Sequence, residues 1–211
     1  MKLLLIALAA VACAAPAAAQ APVVSGGLSV GSVRARSRWG SIDEVTSGAV
    51  IGGEGRVRLG RVTLDGVYVQ GALNPDTGTT ESRDYAEGGL FLTVATVPGV
   101  GLRVGPHARA YISPQGTQRW LFWTARLRGE GSLIAPAVTG FAELWAAWAA
   151  VVNVSEAFGR ATGGVVGMTV RIPGSPVWGR LSYGIERAEM GNGARLETVE
   201  GVSLAIGVGR R

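Results

Sequence analysis

Leu102-Arg103-Val104-Gly105-Pro106-His107-Ala108-Arg109-Ala110-Tyr111-Ile112 alternates without a break. Leu102, Val104, Pro106, Ala108, Ala110 and Ile112 share one parity; Arg103, Gly105, His107, Arg109 and Tyr111 share the other. A pleated strand sends successive side chains to opposite faces, so one face meets hydrocarbon while the other meets water or buried ionic partners. Turned the other way, Arg103 and Arg109 would face lipid at about 2 to 4 kcal/mol each near a bilayer midplane. The apolar parity therefore points outward.

The same test orients three more segments. Leu121, Trp123, Ala125 and Leu127 go outside, with Thr124, Arg126, Arg128 and Glu130 inside. Val177, Leu181, Tyr183 and Ile185 go outside, with Arg180, Ser182 and Glu186 inside, and near the end Val202, Leu204, Ile206 and Val208 face out. Sheets with one greasy and one charged face close most simply into an all-β, antiparallel up-and-down transmembrane barrel whose lumen is rich in arginine.

Ten strands are expected, with 8 to 12 compatible with the pattern: 24 to 36, 47 to 59, 62 to 73, 84 to 96, 101 to 113, 119 to 131, 137 to 150, 158 to 172, 176 to 189 and 195 to 209. Turn residues at Gly60-Arg61, Val97-Pro98-Gly99-Val100, Ser132 to Pro136 and Pro173-Gly174-Ser175-Pro176 make one set of short connections. Longer polar links such as Asn74 to Arg83 alternate with them, so the short set and both termini belong to the periplasmic rim. Three places depart from a clean pattern. Phe141, Leu144, Trp145, Trp148, Val151 and Val152 also share one face of a helix, although a helix there would break the even count. Pro106 cannot donate to a ladder, and a bulge is expected there. The aromatics in Arg119-Trp120-Leu121-Phe122-Trp123 suit either a membrane interface or ordinary sheet packing.

Lys2, the apolar run Leu3 to Val11 and Ala17-Ala18-Ala19 form a secretory signal, with cleavage expected after Ala19. Residues 20–211 then form a single barrel domain. The one cysteine, Cys13, lies in the leader, so the mature chain has neither disulfide nor thiolate chemistry. Beyond Lys2 every basic residue is arginine; the 20 basic residues face 15 acids and alternate with apolar ones instead of clustering. Nucleic-acid binding is excluded on that pattern. The 33 glycines, roughly twice the usual share of about 7%, suit a curved sheet with a crowded interior.

On its leader, its alternating segments and its links, the stretch Val24 to Arg211 resembles the small outer-membrane β-barrel proteins of Gram-negative bacteria, the class that includes the outer-membrane protein A type barrel. The resemblance implies an outer-membrane location, contact with outer-membrane lipid and insertion by the barrel-assembly machinery. Barrels of this class usually end their last strand on an aromatic residue, whereas this chain ends Gly209-Arg210-Arg211, a departure that either counts against the membrane reading or points to a nonstandard insertion signal.

Adjacent inward sets bring Arg103, His107, Arg109 and Tyr111 beside Arg126, Arg128, Glu130 and, one strand further, Glu143. These charges either pair across strands and fill the bore, or leave surplus arginine lining a constriction that favours small anions. The expected function is a structural role or a narrow passive channel, in a monomer. An acyl-transfer enzyme would need His107 to reach a hydroxyl, but the neighbouring Ser113 has opposite parity. No Cys/His cluster with metal-ligand spacing and no phosphate-cradling loop is present, so no cofactor is expected. Arg34, Arg36 and Arg38 lie at the outer rim, where they either pair with lipopolysaccharide phosphates or remain solvated. A soluble lipocalin-like barrel or β-sandwich is the rival reading.

Overall fold

The computed structural model describes residues 21–77, 81–134 and 137–209. The expected leader and Arg210-Arg211 lie outside them. Ten strands follow one another: β1 (Val23–Trp39), β2 (Ile42–Leu59), β3 (Val62–Thr77), β4 (Arg83–Val97), β5 (Val100–Ser113), β6 (Gly116–Ile134), β7 (Val138–Val152), β8 (Phe158–Arg171), β9 (Val177–Met190) and β10 (Arg195–Gly209). Each pairs antiparallel with its sequence neighbour, and β1 pairs with β10 from Ser25 opposite Gly209 to Trp39 opposite Arg195, closing the barrel. Closure removes both sheet edges, and backbone polar groups can then cross hydrocarbon satisfied by one another. No helix among the described residues is long and apolar enough to cross a membrane.

The expected contrast between short turns and longer loops takes a different form. Strand bounds leave at most five linking residues on either rim. Segments expected to be loops continue the ladder instead: Ser37 to Trp39 pair with Glu44 to Ile42. A tilted strand crosses hydrocarbon in about 9 to 11 residues, so strands of 14 to 19 residues extend beyond it. The exterior shows on which side. Exposed apolar residues run right to the rim that holds the termini, ending at Val97, Ile134, Ile172 and Val208. At the opposite ends the outer wall carries Arg34, Arg36, Arg38, Arg119, Arg160 and Arg187 instead.

The stretch with helical spacing is strand β7. Its apolar residues occupy both faces, with Phe141 and Trp145 buried inside while Leu144 and Val151 are exposed outside. The register slips between Trp123 opposite Ala149 and Thr124 opposite Ala147, which makes Trp148 the extra residue of a bulge. That inserted residue gives the spacing its helical look.

At Pro106 the expected bulge is absent. The β4–β5 ladder has Gly89 opposite His107, omits Gly105 and Pro106, and resumes unshifted with Leu92 opposite Val104. Beside the proline, Gly105 lets the two strands approach closely, since a Cβ there would lie 2.0 Å from the Leu90 carbonyl oxygen.

Candidate functional site: the barrel lumen

Inward positions of all ten strands converge on the bore, and three layers fill it. The first lies at the rim holding the termini, where a cavity of about 400 Å³ is lined by Arg56, Arg58, Arg61, Arg103, Arg128 and Arg171 together with Asp65 and Glu130.

Ion pairs make the second layer. Glu143 on β7 accepts from Arg103 at 2.6 Å and from Arg126 at 3.1 Å, with Arg128 at 3.8 Å. Asp65 on β3 pairs with Arg56, lies 3.8 Å from Arg103 and accepts from the Thr93 hydroxyl at 3.0 Å. Arg180 on β9 reaches past β10 and β1 to Glu54 of β2. Guanidinium groups also lie over aromatic faces, Arg126 4.3 Å from the Phe91 ring centre and Arg128 3.9 Å from that of Phe141.

The same layer crosses the bore. In a ring of ten, β5 and β10 stand on opposite walls. Arg109 Nη1 of β5 nonetheless lies 3.3 Å from Glu197 Oε1 of β10, and the Tyr111 hydroxyl donates to that oxygen at 2.8 Å. Arg109 also pairs with Glu186 of β9 and lies 3.7 Å from Glu87 of β4. Glu197 and Arg109 are 1% and 3% exposed, so water is excluded from the bridge.

Aromatic and aliphatic side chains form the third layer, toward the charged outer rim. Phe122 packs against Trp120, Trp145 and Phe158 with ring centres 5.8 to 6.4 Å apart, and Tyr85 against Tyr111 at 5.6 Å. Leu73, Met190, Val33 and Val50 complete the cluster. Of the aromatics at 119 to 123 only Trp123 faces outward; Trp120 and Phe122 are buried in the lumen. Interface placement therefore fails for those two.

Neighbouring strands make room for these rings with glycine. A Cβ on Gly163 of β8 would sit 2.5 to 2.7 Å from the Trp145 indole. The paired Gly207 and Gly27 form a similar bed under Trp178. Rings laid across a glycine on the next strand bury large area without widening the barrel.

All the residues expected to line the lumen, Arg103, His107, Arg109, Tyr111, Arg126, Arg128, Glu130, Glu143, Arg180 and Glu186, lie on inward parities. Leu102, Val104, Leu121, Trp123, Leu127, Leu181, Tyr183, Ile185, Leu204 and Ile206 lie on outward ones. They are not one cluster: Arg103, Arg126, Arg128 and Glu143 share one network, while His107, Arg109, Tyr111 and Glu186 belong to another. Sequence reading missed the acids that complete both, Glu54, Asp65, Glu87 and Glu197. Even parity in β2 and odd parity in the other three mark them as inward once each strand is oriented.

His107 Nε2 lies 2.9 Å from Glu87, and with Glu186 these residues bring three ligand atoms within 4.8 Å of one another. Arg109 already supplies a cation to both carboxylates, so the geometry is that of a filled charge network. The imidazole is 4% exposed, between Phe122 and Trp145, and Ser113 donates elsewhere, to the Gly116 carbonyl.

No family model matches the chain, and no curated protein matches it in sequence. Solved structures share its architecture. The outer-membrane protease OmpT from Escherichia coli aligns over 92% of this chain and 99% of its own, at 8% identity and a TM-score of 0.56. The translocator domain of the autotransporter NalP from Neisseria meningitidis aligns over 98% and 95%, at 13% identity and a TM-score of 0.50. The fold is that of outer-membrane β-barrels.

Proposed function

We propose that this barrel resides in a bacterial outer membrane as a structural component whose lumen is closed to through-flow. One observation carries the reading: side chains from opposite walls, Arg109 and Tyr111 on one and Glu197 on the other, meet across the bore beneath a buried aromatic cluster. The exterior supports the membrane setting, since Leu28, Leu144, Leu204 and Ile206 present large apolar surfaces with no protein cover, which a soluble binding protein would not tolerate. The arginines that motivate an anion-selective constriction are paired within the bore, and among the described residues Arg58 and Arg61, at one mouth, have no carboxylate partner. Lipid modification lacks support because the sealed imidazole of His107 has no nucleophilic serine beside it among the described residues.

Purified protein in planar bilayers should be electrically silent, without discrete conductance steps. Reproducible unitary steps with anion preference would overturn closure.

On the outer wall Arg34, Arg36 and Arg38 of β1 and Arg187 of β9 border a shallow hollow of about 200 Å³ with Thr198 and Glu200 of β10. It lies above the apolar band, at the height of lipid head groups, and suits phosphate oxygens of lipopolysaccharide. Adding lipopolysaccharide to vesicles should raise the unfolding temperature, with the gain reduced by salt and by R34Q/R38Q/R187Q. An equal gain in that variant would remove the contact.

A further inference from the structure

We propose that the mouth of the barrel at the rim holding the termini is a binding site for a compact, multiply charged phosphoryl anion. The site is a blind vestibule. Its inner end is closed by the pairs that Arg103 and Arg128 make with Glu143, and its walls belong to strands whose outer faces meet lipid. Arginine outnumbers acid in its lining: among the described residues Arg56, Arg58, Arg61, Arg103 and Arg128 face Asp65 and Glu130, with Glu143 at the inner end. Asp65 is engaged by Arg56 and Glu130 by Arg128, while Arg58 and Arg61 have no carboxylate within reach among the described residues. A recess of one charge sign with low-dielectric walls concentrates its potential and draws in counter-ions.

The donors identify the kind of anion. Guanidinium forks come from β2, the β2–β3 turn, β5 and β6, and three threonine hydroxyls, Thr63, Thr139 and Thr169, come from β3, β7 and β8. They surround the cavity instead of facing one wall. A planar carboxylate presents its oxygens in one plane, whereas a tetrahedral phosphoryl group accepts from donors arriving around it. Two linked phosphoryl groups fit within about 400 Å³. Because the vestibule opens flush with the apolar band, the phosphoryl group could belong either to a dissolved phosphate ester or to a lipid head group of the nearer leaflet.

The test is calorimetric titration of the full-length barrel, in uncharged detergent at low ionic strength, with inorganic pyrophosphate. Saturable uptake of one equivalent is expected, weakened by added salt. R58Q/R61Q should lower the affinity by roughly tenfold or more. Both arginines sit exposed at the rim, so the variant should fold, which retention of its compact band on unheated gels would verify. R38Q at the far rim should bind as the parent does. Competition by a short-chain phosphatidic acid would assign the natural group to a lipid, and its absence would assign it to a soluble ester. No saturable uptake, or equal affinity in R58Q/R61Q, would overturn the site. Conductance tests closure separately, so failure of one reading is not failure of the other.

Discussion

Replacing Glu143 with Gln is expected to lower the unfolding free energy by about 3 to 5 kcal/mol, a large fraction of what a domain possesses. Glu143 is 3% exposed and serves three guanidinium groups. Arg103 and Arg128 keep second carboxylates, Asp65 and Glu130, but Arg126 loses its only salt bridge among the described residues. Glutamine conserves shape but turns one accepting oxygen into a donating NH2 that faces guanidinium donors, so the loss combines the missing charge with a lost acceptor. Urea titration in lipid vesicles, followed by tryptophan fluorescence, measures it. Adding R126M should recover much of the loss, because the orphaned cation is then gone. A drop below about 1 kcal/mol in E143Q would mean that water screens the cluster, contrary to a closed bore.

Trp145 should be comparably costly to remove. W145A deletes an indole packed against Phe122, His107 and Arg126, and a loss of about 3 to 5 kcal/mol is expected. The informative comparison is with Gly163, where the nearest atoms to an added Cβ all belong to that indole. G163A alone should cost about 1 to 3 kcal/mol by overpacking. In a W145A background it should cost almost nothing, because the space it needs is vacant. Equal costs in the two backgrounds would show that the methyl group strains the backbone of β8 and that the ring is not seated there.

Much of the fold was legible because lipid imposes a strict rule on one face. In 102–112 the two-residue period together with buried arginine leaves one orientation, and the same holds for 121–130 and 177–186. Legibility fails where the lumen is itself apolar. Trp120, Phe122 and Trp145 lie inside, beside stretches whose outward residues are equally greasy, so hydrophobicity cannot separate the faces. At Trp148 a bulge shifts the period, and the pattern imitates a helix. Around Glu54, the run Gly52-Gly53-Glu54-Gly55 supplies no side chains from which to read a parity at all.

Strand number, antiparallel order and the outward set follow from local chemistry, since each depends only on a residue and its near neighbours along the chain meeting lipid, water or a turn. Whether the bore is open does not. That depends on β5 facing β10 across the ring, so that Arg109 and Tyr111 find Glu197 more than eighty residues away. Closing the ring sets the distance between walls, and that distance makes the same arginines a seal in the middle of the barrel and an unbalanced cluster at its mouth.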